Sequence, residues 1–267
     1  MARITQEQRN RYFDKVKEYK VFIDGIIAHE KTIASLLSQD EAGAAFKRLH
    51  LAEEMLDLAS WHLLINSVSV AFLGMKNDDI LIDGRKIIMR ALKYLEDVVT
   101  NRLDVPFSEY EKNLDEIREV DVISRYRLLR KFCFAIECFE AAFGENSKYN
   151  KGFNEIWGKL SALGKNMIDL RTVMTELDFN SSNRDSMKAH LAIVKDLFKR
   201  SADRYREEYE LYSHKLSDFR IGIQYLSALR RIHASINERD EAEKMKRNIE
   251  VWNTKYETDS RKKAAQA

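Results

Sequence analysis

Six histidines, two cysteines and a dense run of arginines are the residues of this chain whose chemistry depends on spacing. A helical protein holds a carboxylate-bridged pair of metal ions when Glu-x-x-His pairs on two helices aim both side chains inward. The residues three before the six histidines are Ile26, Lys47, Ala59, Met187, Leu211 and Arg230, and none is acidic. That pattern excludes a ferritin-like centre, and there is no H-E-x-x-H zinc motif. His50, Glu53, Glu54 and Asp57 fall on adjacent turns and read as a solvated stripe beside an apolar face. No metal and no cofactor is therefore expected. Cys133 and Cys138 are five apart on a helical stretch, so they diverge in direction and sit too far apart to bridge. They read as small apolar residues in a reducing, cytoplasmic compartment.

The segment GKLSALGK, Gly158–Lys165, superficially has the look of a phosphate-binding loop. It places five residues between its glycines instead of four, and Asn166 stands where a magnesium-binding hydroxyl belongs. It is read instead as a helix whose glycines permit close approach or a bend.

Arg125, Arg127, Arg130 and Lys131 in SRYRLLRK make the densest basic cluster, a candidate site for a phosphate or an acidic peptide. Arg127, Arg130 and Lys131 also have the i, i+3, i+4 spacing of an ordinary exposed face. The acidic stretch 109–119 lies just before them. A second basic stretch, Lys195–Arg206, carries Phe198 and Tyr205 on an apolar seam, which places them in a core and gives no strong nucleic-acid signal. Three polar residues are expected inside: His62 and Asn66, one turn apart in an apolar helix, and Glu137 within Phe132–Phe143. A buried carboxylate needs a cation, and Arg85, Arg90, Arg127 and Arg130 are the partners nearest in sequence. These three residues are assigned a structural role in fixing helix register.

The elements that must position these groups are helices. One proline and nine glycines in 267 residues leave little material for sheets or hairpins. Hydrophobic residues at 45% and charged residues at 33% suit helices with one apolar and one solvated face. The net charge of +2 gives no global pull toward nucleic acid or an anionic membrane. The segment 1–13 lacks the pattern of a secretory leader, and the most apolar run, Leu58–Gly74, is interrupted by His62, Asn66, Ser67 and Ser69, so no membrane insertion is expected.

Thr5/Gln8, Ser38/Glu41 and Ser108/Glu111 have capping-box spacing, with Ser108 just after the single proline, Pro106. Asn77–Asp79, Asn146–Ser147 and Ser181–Asn183 supply further N-caps, and Gly74 and Gly144 follow apolar runs where a left-handed C-cap belongs. These signals predict helices near 5–37, 40–73, 79–102, 109–143, 148–177, 184–214, 218–236 and 239–258. The fold expected is all-α, with about eight antiparallel helices in an elongated bundle or an irregular helical-hairpin array. Residues 1–260 form a single helical domain, with 1–105 and 106–260 as candidate sub-lobes, and 261–267 fray. In the first helix, Tyr12, Val16, Tyr19, Ile23, Ile26, Ile33 and Leu37 form a seam in which Glu30 fills one apolar slot. Phe132–Phe143 is apolar nearly all round and is expected to be central. The seam from Met187 through Leu226 keeps its phase across Ser213–Asp218, which predicts a kink near Ser217-Asp218.

The last two helices carry Leu226, Leu229 and Ile232, then a polar turn Asn237–Asp240, then the small residue Ala242. This hairpin, residues 218–252, resembles the tetratricopeptide type, with Arg230 and His233 where that family usually has glycine and tyrosine. The resemblance implies a scaffold that binds peptides or partner proteins in a concave groove. The function expected is therefore non-enzymatic, a scaffold or assembly subunit whose partners are proteins, itself included. Tyr12, Tyr19, Trp252 and Tyr256 are its candidate interface residues, because aromatic side chains dominate interface energetics. The alternatives are a groove for phosphorylated or acidic peptides and an enzyme whose site is assembled between helices.

Overall fold

The computed structural model describes residues 4–37, 43–103, 107–144 and 149–266. They form α1 (Gln6–Leu37), α2 (Ala44–Leu73), α3 (Asp78–Glu96), α4 (Phe107–Glu116), α5 (Val122–Phe143), α6 (Asn150–Asn166), the single turn α7 (Val173–Glu176), α8 (Arg184–Glu207), α9 (Leu216–Ser235) and α10 (Arg239–Gln266). Among the described residues there is no strand, so the all-α class holds, with ten α-helices in place of about eight. Ser38/Glu41, Asn146–Ser147 and Pro106 lie outside the described residues.

Several of the cap signals act as local chemistry requires, although Asn183 precedes α8 without a side-chain cap bond. The Thr5 N–H donates to Gln8 Oε1 at 2.8 Å and the Gln8 N–H to Thr5 Oγ1 at 3.2 Å, a reciprocal capping box. Asn77 Oδ1 accepts from the Ile80 N–H at 3.2 Å and starts α3. Gly74 at φ 64° and Gly144 at φ 83° end α2 and α5 in the left-handed conformation that disfavours a side chain. Ser108 is no N-cap, because α4 already includes Phe107.

Two expected helices are each broken. The stretch 109–143 divides at 117–121, where Asp121 Oδ1 accepts from the Ser124 N–H at 2.6 Å and caps α5. The stretch 148–177 divides at 167–172, where Asp169 Oδ1 takes the Arg171 N–H at 2.9 Å. In both, one aspartate offers the backbone a non-helical partner. The kink in the long seam is real but lies earlier than Ser217-Asp218. A π-helical turn, Glu208–Ser213, ends at His214, which has φ 51°. The extra residue per turn moves the seam's phase and leaves Tyr212 exposed. Residues 261–266, expected to fray, continue α10, where the Lys263 Nζ donates to the His214 carbonyl.

The chain divides into two compact units, residues 1–98 with 128–150 and residues 99–127 with 151–267. In the first, α2 packs on α1 and α3 and buries Leu51, Ala52, Met55, Leu58 and Ala59. α2 has the length and apolar composition of a membrane-crossing helix, and a third of its most apolar stretch is buried inside the protein. In the second, α9 packs on α8 and α10, around Phe198, Phe219, Leu226 and Ile232.

α5 is not covered on all sides. Leu129, Phe132, Ile136, Phe139 and Phe143 are buried, whereas Arg127, Arg130, Lys131, Phe134, Glu137 and Ala141 are exposed. Those six positions lie at i, i+3, i+4, i+7, i+10 and i+14 along one side of the helix, so α5 is amphipathic with Phe134 on its wet face.

Candidate functional site

The second unit contains a cleft of about 430 Å³. Its walls come from the α4–α5 turn, the segment after α6 and the start of α8. Arg125 and His190 line it with Met167 and Met187, and Glu111, Asp115, Arg118, Asp121, Asp169, Arg171 and Glu176 bring charge to it.

Arg125 is committed to the backbone. Its Nε donates to the Val120 carbonyl at 2.9 Å, Nη1 to Met167 at 3.1 Å and Nη2 to Ile117 at 2.7 Å. Burial lowers its pKa from the usual arginine value, although guanidinium remains charged. His190 is buried, and its Nε2 donates to the Gly164 carbonyl at 3.0 Å, which leaves Nδ1 as the acceptor of a neutral ring. Burial pushes its pKa down to about 4 against the raising effect of the Gly164 carbonyl, and the positive charge of Arg125 adds a smaller lowering. The folded state thus resists protonating a ring that the unfolded chain protonates near 6.5. This contribution to stability is fully present above the unfolded value and is lost as pH falls from about 6.5 toward 4. The full difference is about 3 kcal/mol. Urea unfolding at pH 7 and pH 5 is expected to show a larger loss of stability for the natural chain than for His190→Gln. Equal losses would mean that His190 is not the group responsible.

The basic cluster does not act as one patch. Arg125 turns onto carbonyls, and Lys131 pairs with Glu53 of α2. Arg127 and Arg130 are exposed. Three arginines and five carboxylates line the cleft, so its charge does not favour a phosphorylated or acidic peptide.

Glu137, expected inside, is exposed. His62 and Asn66 do not pair with one another. The His62 Nδ1 meets the Leu58 carbonyl of its own helix at 2.9 Å. Asn66 is buried, and its Oδ1 accepts the Asn77 N–H at 2.9 Å, tying α2 to the turn before α3. None of the three lines the cleft. The carboxylate that is buried in the first unit is Glu30, which accepts from the Tyr94 hydroxyl at 2.9 Å and faces the Arg90 Nε at 3.2 Å. Burial, and then Glu30, push the Tyr94 hydroxyl up to about 12. The signal was present in the sequence, because Glu30 interrupts an apolar seam. The phosphate-loop reading also stays excluded. Gly158 lies inside α6 beneath Tyr225, and the buried Lys165 sits over the Tyr110 ring at 5.2 Å.

The four candidate interface aromatics have different fates. Trp252 is buried, with Phe219 at 5.7 Å and the Arg206 guanidinium over its ring at 5.2 Å, so it belongs to a core and not to an open surface. Tyr256 is half-buried and 6.5 Å from Phe219. Tyr12 and Tyr19 are half-buried on α1, where Tyr19 tilts against Trp61 of α2 at 5.4 Å. Beside them Phe22 stacks on Trp61 at 4.6 Å while remaining 50% exposed, and Phe13 is 64% exposed. Val21 and Leu36 of α1 and Phe46, Leu64 and Val70 of α2 are exposed as well. Val21, Phe22 and Leu36 fall within about 100° of one another around α1 and give it an exposed apolar face, which meets α2 at the Phe22–Trp61 stack, one turn from Leu64, whereas Phe13, nine residues before Phe22, lies on the opposite side of α1.

On the same pair His29, His50 and Glu54 meet. The His29 Nδ1 lies 2.8 and 2.9 Å from the two Glu54 oxygens, and the His50 Nε2 lies 3.4 Å from Glu54 Oε1. The Glu-x-x-His rule misses this group because two of its members have His-x-x-x-Glu spacing and the third comes from another helix.

The model of the TP0443 family matches residues 8–260 of the chain. No curated protein and no solved structure matches it.

Proposed function

The chain belongs to the TP0443 family, and we propose that it is a non-enzymatic helical assembly subunit that pairs with a second copy of itself through the α1–α2 face. The observation that carries this reading is the exposed apolar face, with Phe22, Leu36 and Leu64 large enough to anchor an interface. Its flanks suit self-pairing. α1 exposes both signs, Asp14, Glu18 and Asp24 among Lys17, Lys20 and Lys31, so two antiparallel copies can set acids against lysines. A net charge of +2 adds little repulsion between copies. The α9–α10 hairpin, similar to the tetratricopeptide type, fits the same class of function, in which packed helices present surfaces instead of reacting groups.

Sedimentation equilibrium of the full chain tests the reading. A dimer is expected for the natural chain, a monomer for Phe22→Glu, and a dimer for Leu211→Glu, which changes an equally exposed apolar residue on the π-helical turn. A natural chain that is monomeric at about 100 µM would overturn the proposal, as would a dimer that Phe22→Glu leaves intact. Phe22-dependent co-sedimentation with phosphatidylcholine vesicles by a monomeric chain would assign the face to a membrane instead.

A further inference from the structure

We propose that His29, His50 and Glu54 form a binding site for one divalent ion of the zinc type, which clips α1 to α2. Donor chemistry separates the ions that could compete for such a ligand set. Two imidazoles and one carboxylate suit Zn²⁺ and its Co²⁺ and Ni²⁺ neighbours, whereas Mg²⁺ and Ca²⁺ seek oxygen donors alone.

The geometry is close to what such an ion needs. One ligand atom from each of the three side chains lies within 4.8 Å of the other two. Tetrahedral zinc with bonds of about 2.0–2.1 Å sets its ligand atoms roughly 3.4 Å apart. The observed separation of 3.4 Å for His50 to Glu54 matches that spacing, and the 2.8 Å for His29 to Glu54 is shorter. His50 and Glu54 are one turn apart on α2, so they share a face by helical periodicity. His29 reaches them from α1, and the present His29–Glu54 hydrogen bond already holds two of the three ligands together.

The surroundings favour a cation. Glu53 and Asp57 place further carboxylates on neighbouring turns, and Lys131, which acts on both, pairs with Glu53. The Glu54 side chain is only 20% exposed, while His29 and His50 are open to solvent. An ion therefore has a way in, and three protein ligands leave its fourth position for water. Because α1 packs on α2, a ligand drawn from each helix converts binding energy into helix docking. This site is independent of self-pairing, since a monomer would hold it equally well.

Isothermal titration of the full-length, tag-free chain with Zn²⁺ is the test, together with the visible absorption of Co²⁺ as a report on ligand geometry. One ion per chain with a micromolar dissociation constant is expected, unaffected by a thousand-fold excess of Mg²⁺. His29→Ala and His50→Ala are each expected to weaken binding at least tenfold and to abolish the rise in melting temperature that Zn²⁺ produces. His214→Asn, which alters an exposed histidine elsewhere, should do neither. Far-UV circular dichroism checks that the variants keep their helices. Tight binding that survives either histidine replacement would overturn the site, as would saturation only above about 1 mM Zn²⁺.

Discussion

Replacing Arg125 with Ala is expected to destabilise the second unit by about 3 kcal/mol. One guanidinium serves the carbonyls of Ile117, Val120 and Met167, which lie where α4, α5 and α6 begin or end. Helix ends leave carbonyls without intrahelical partners, and an unpaired buried acceptor costs about 1–3 kcal/mol; the Val120 and Met167 carbonyls lose their donor, whereas Ile117 keeps the Val120 N–H at 2.9 Å. The Ile117 and Met167 residues are buried, so water replaces the lost donor poorly there, while the cleft readmits it in part. Arg125→Lys should recover less than half of the loss, because an ammonium is a point donor and cannot fork to three separated acceptors. Chemical unfolding of both variants at pH 7 gives the comparison. A second consequence separates this role from simple packing. Arg125's charge helps to depress His190, so removing it is expected to raise the pKa of that ring, readable from its C–H resonances in a pH titration. Unchanged stability would show that the three carbonyls do not depend on Arg125. An unchanged His190 titration would show that the charge does not act on the ring.

Gly84→Ala is expected to lower stability although alanine is the better helix former. A Cβ at position 84 of α3 would lie 2.3 Å from both Cε1 and Cζ of Phe139 and 3.2 Å from the His62 Cβ. Phe139 is fully buried, so its ring has no empty space into which to swing. Alanine gains about 1 kcal/mol in helix propensity, whereas overpacking of this severity costs about 3 kcal/mol. The net loss of about 2 kcal/mol corresponds to roughly 4–8 °C in melting temperature. Gly84→Ala combined with Phe139→Leu should recover part of it, because the shorter side chain vacates the space the methyl enters. A melting temperature for Gly84→Ala at or above that of the natural chain would sink the argument.

The contrast between Glu30 and Glu137 shows how far the sequence could be read. Both interrupt apolar runs, but only Glu137 reads from the sequence as a buried carboxylate, while Glu30 fills one apolar slot of the α1 seam. Periodicity was decisive for Glu30, which occupies an inward slot of a regular four-and-three seam and is buried. Glu137 sits in a run so apolar that no phase is legible, and packing alone put it outward with Phe134. The seam beyond Met187 failed at Tyr212 for a related reason. A π-helical turn adds a residue that no spacing rule anticipates.

What the sequence determined by itself is what lies within four residues. The scarcity of proline and glycine made the chain helical, the Thr5/Gln8 box and Asn77 started helices, and Gly74 and Gly144 ended them, because cap bonds join a residue to a partner three or four positions away. What only the tertiary structure decided are the partners that lie tens of residues off. Arg125 reaches the Met167 carbonyl 42 positions on, Glu30 meets Tyr94 across 64, and His29 joins Glu54 across 25. A helix offers the same side chain to every direction its axis can rotate through. Which neighbour it meets is set when apolar faces pack, and that choice follows from the shape of the whole core and not from any local pattern.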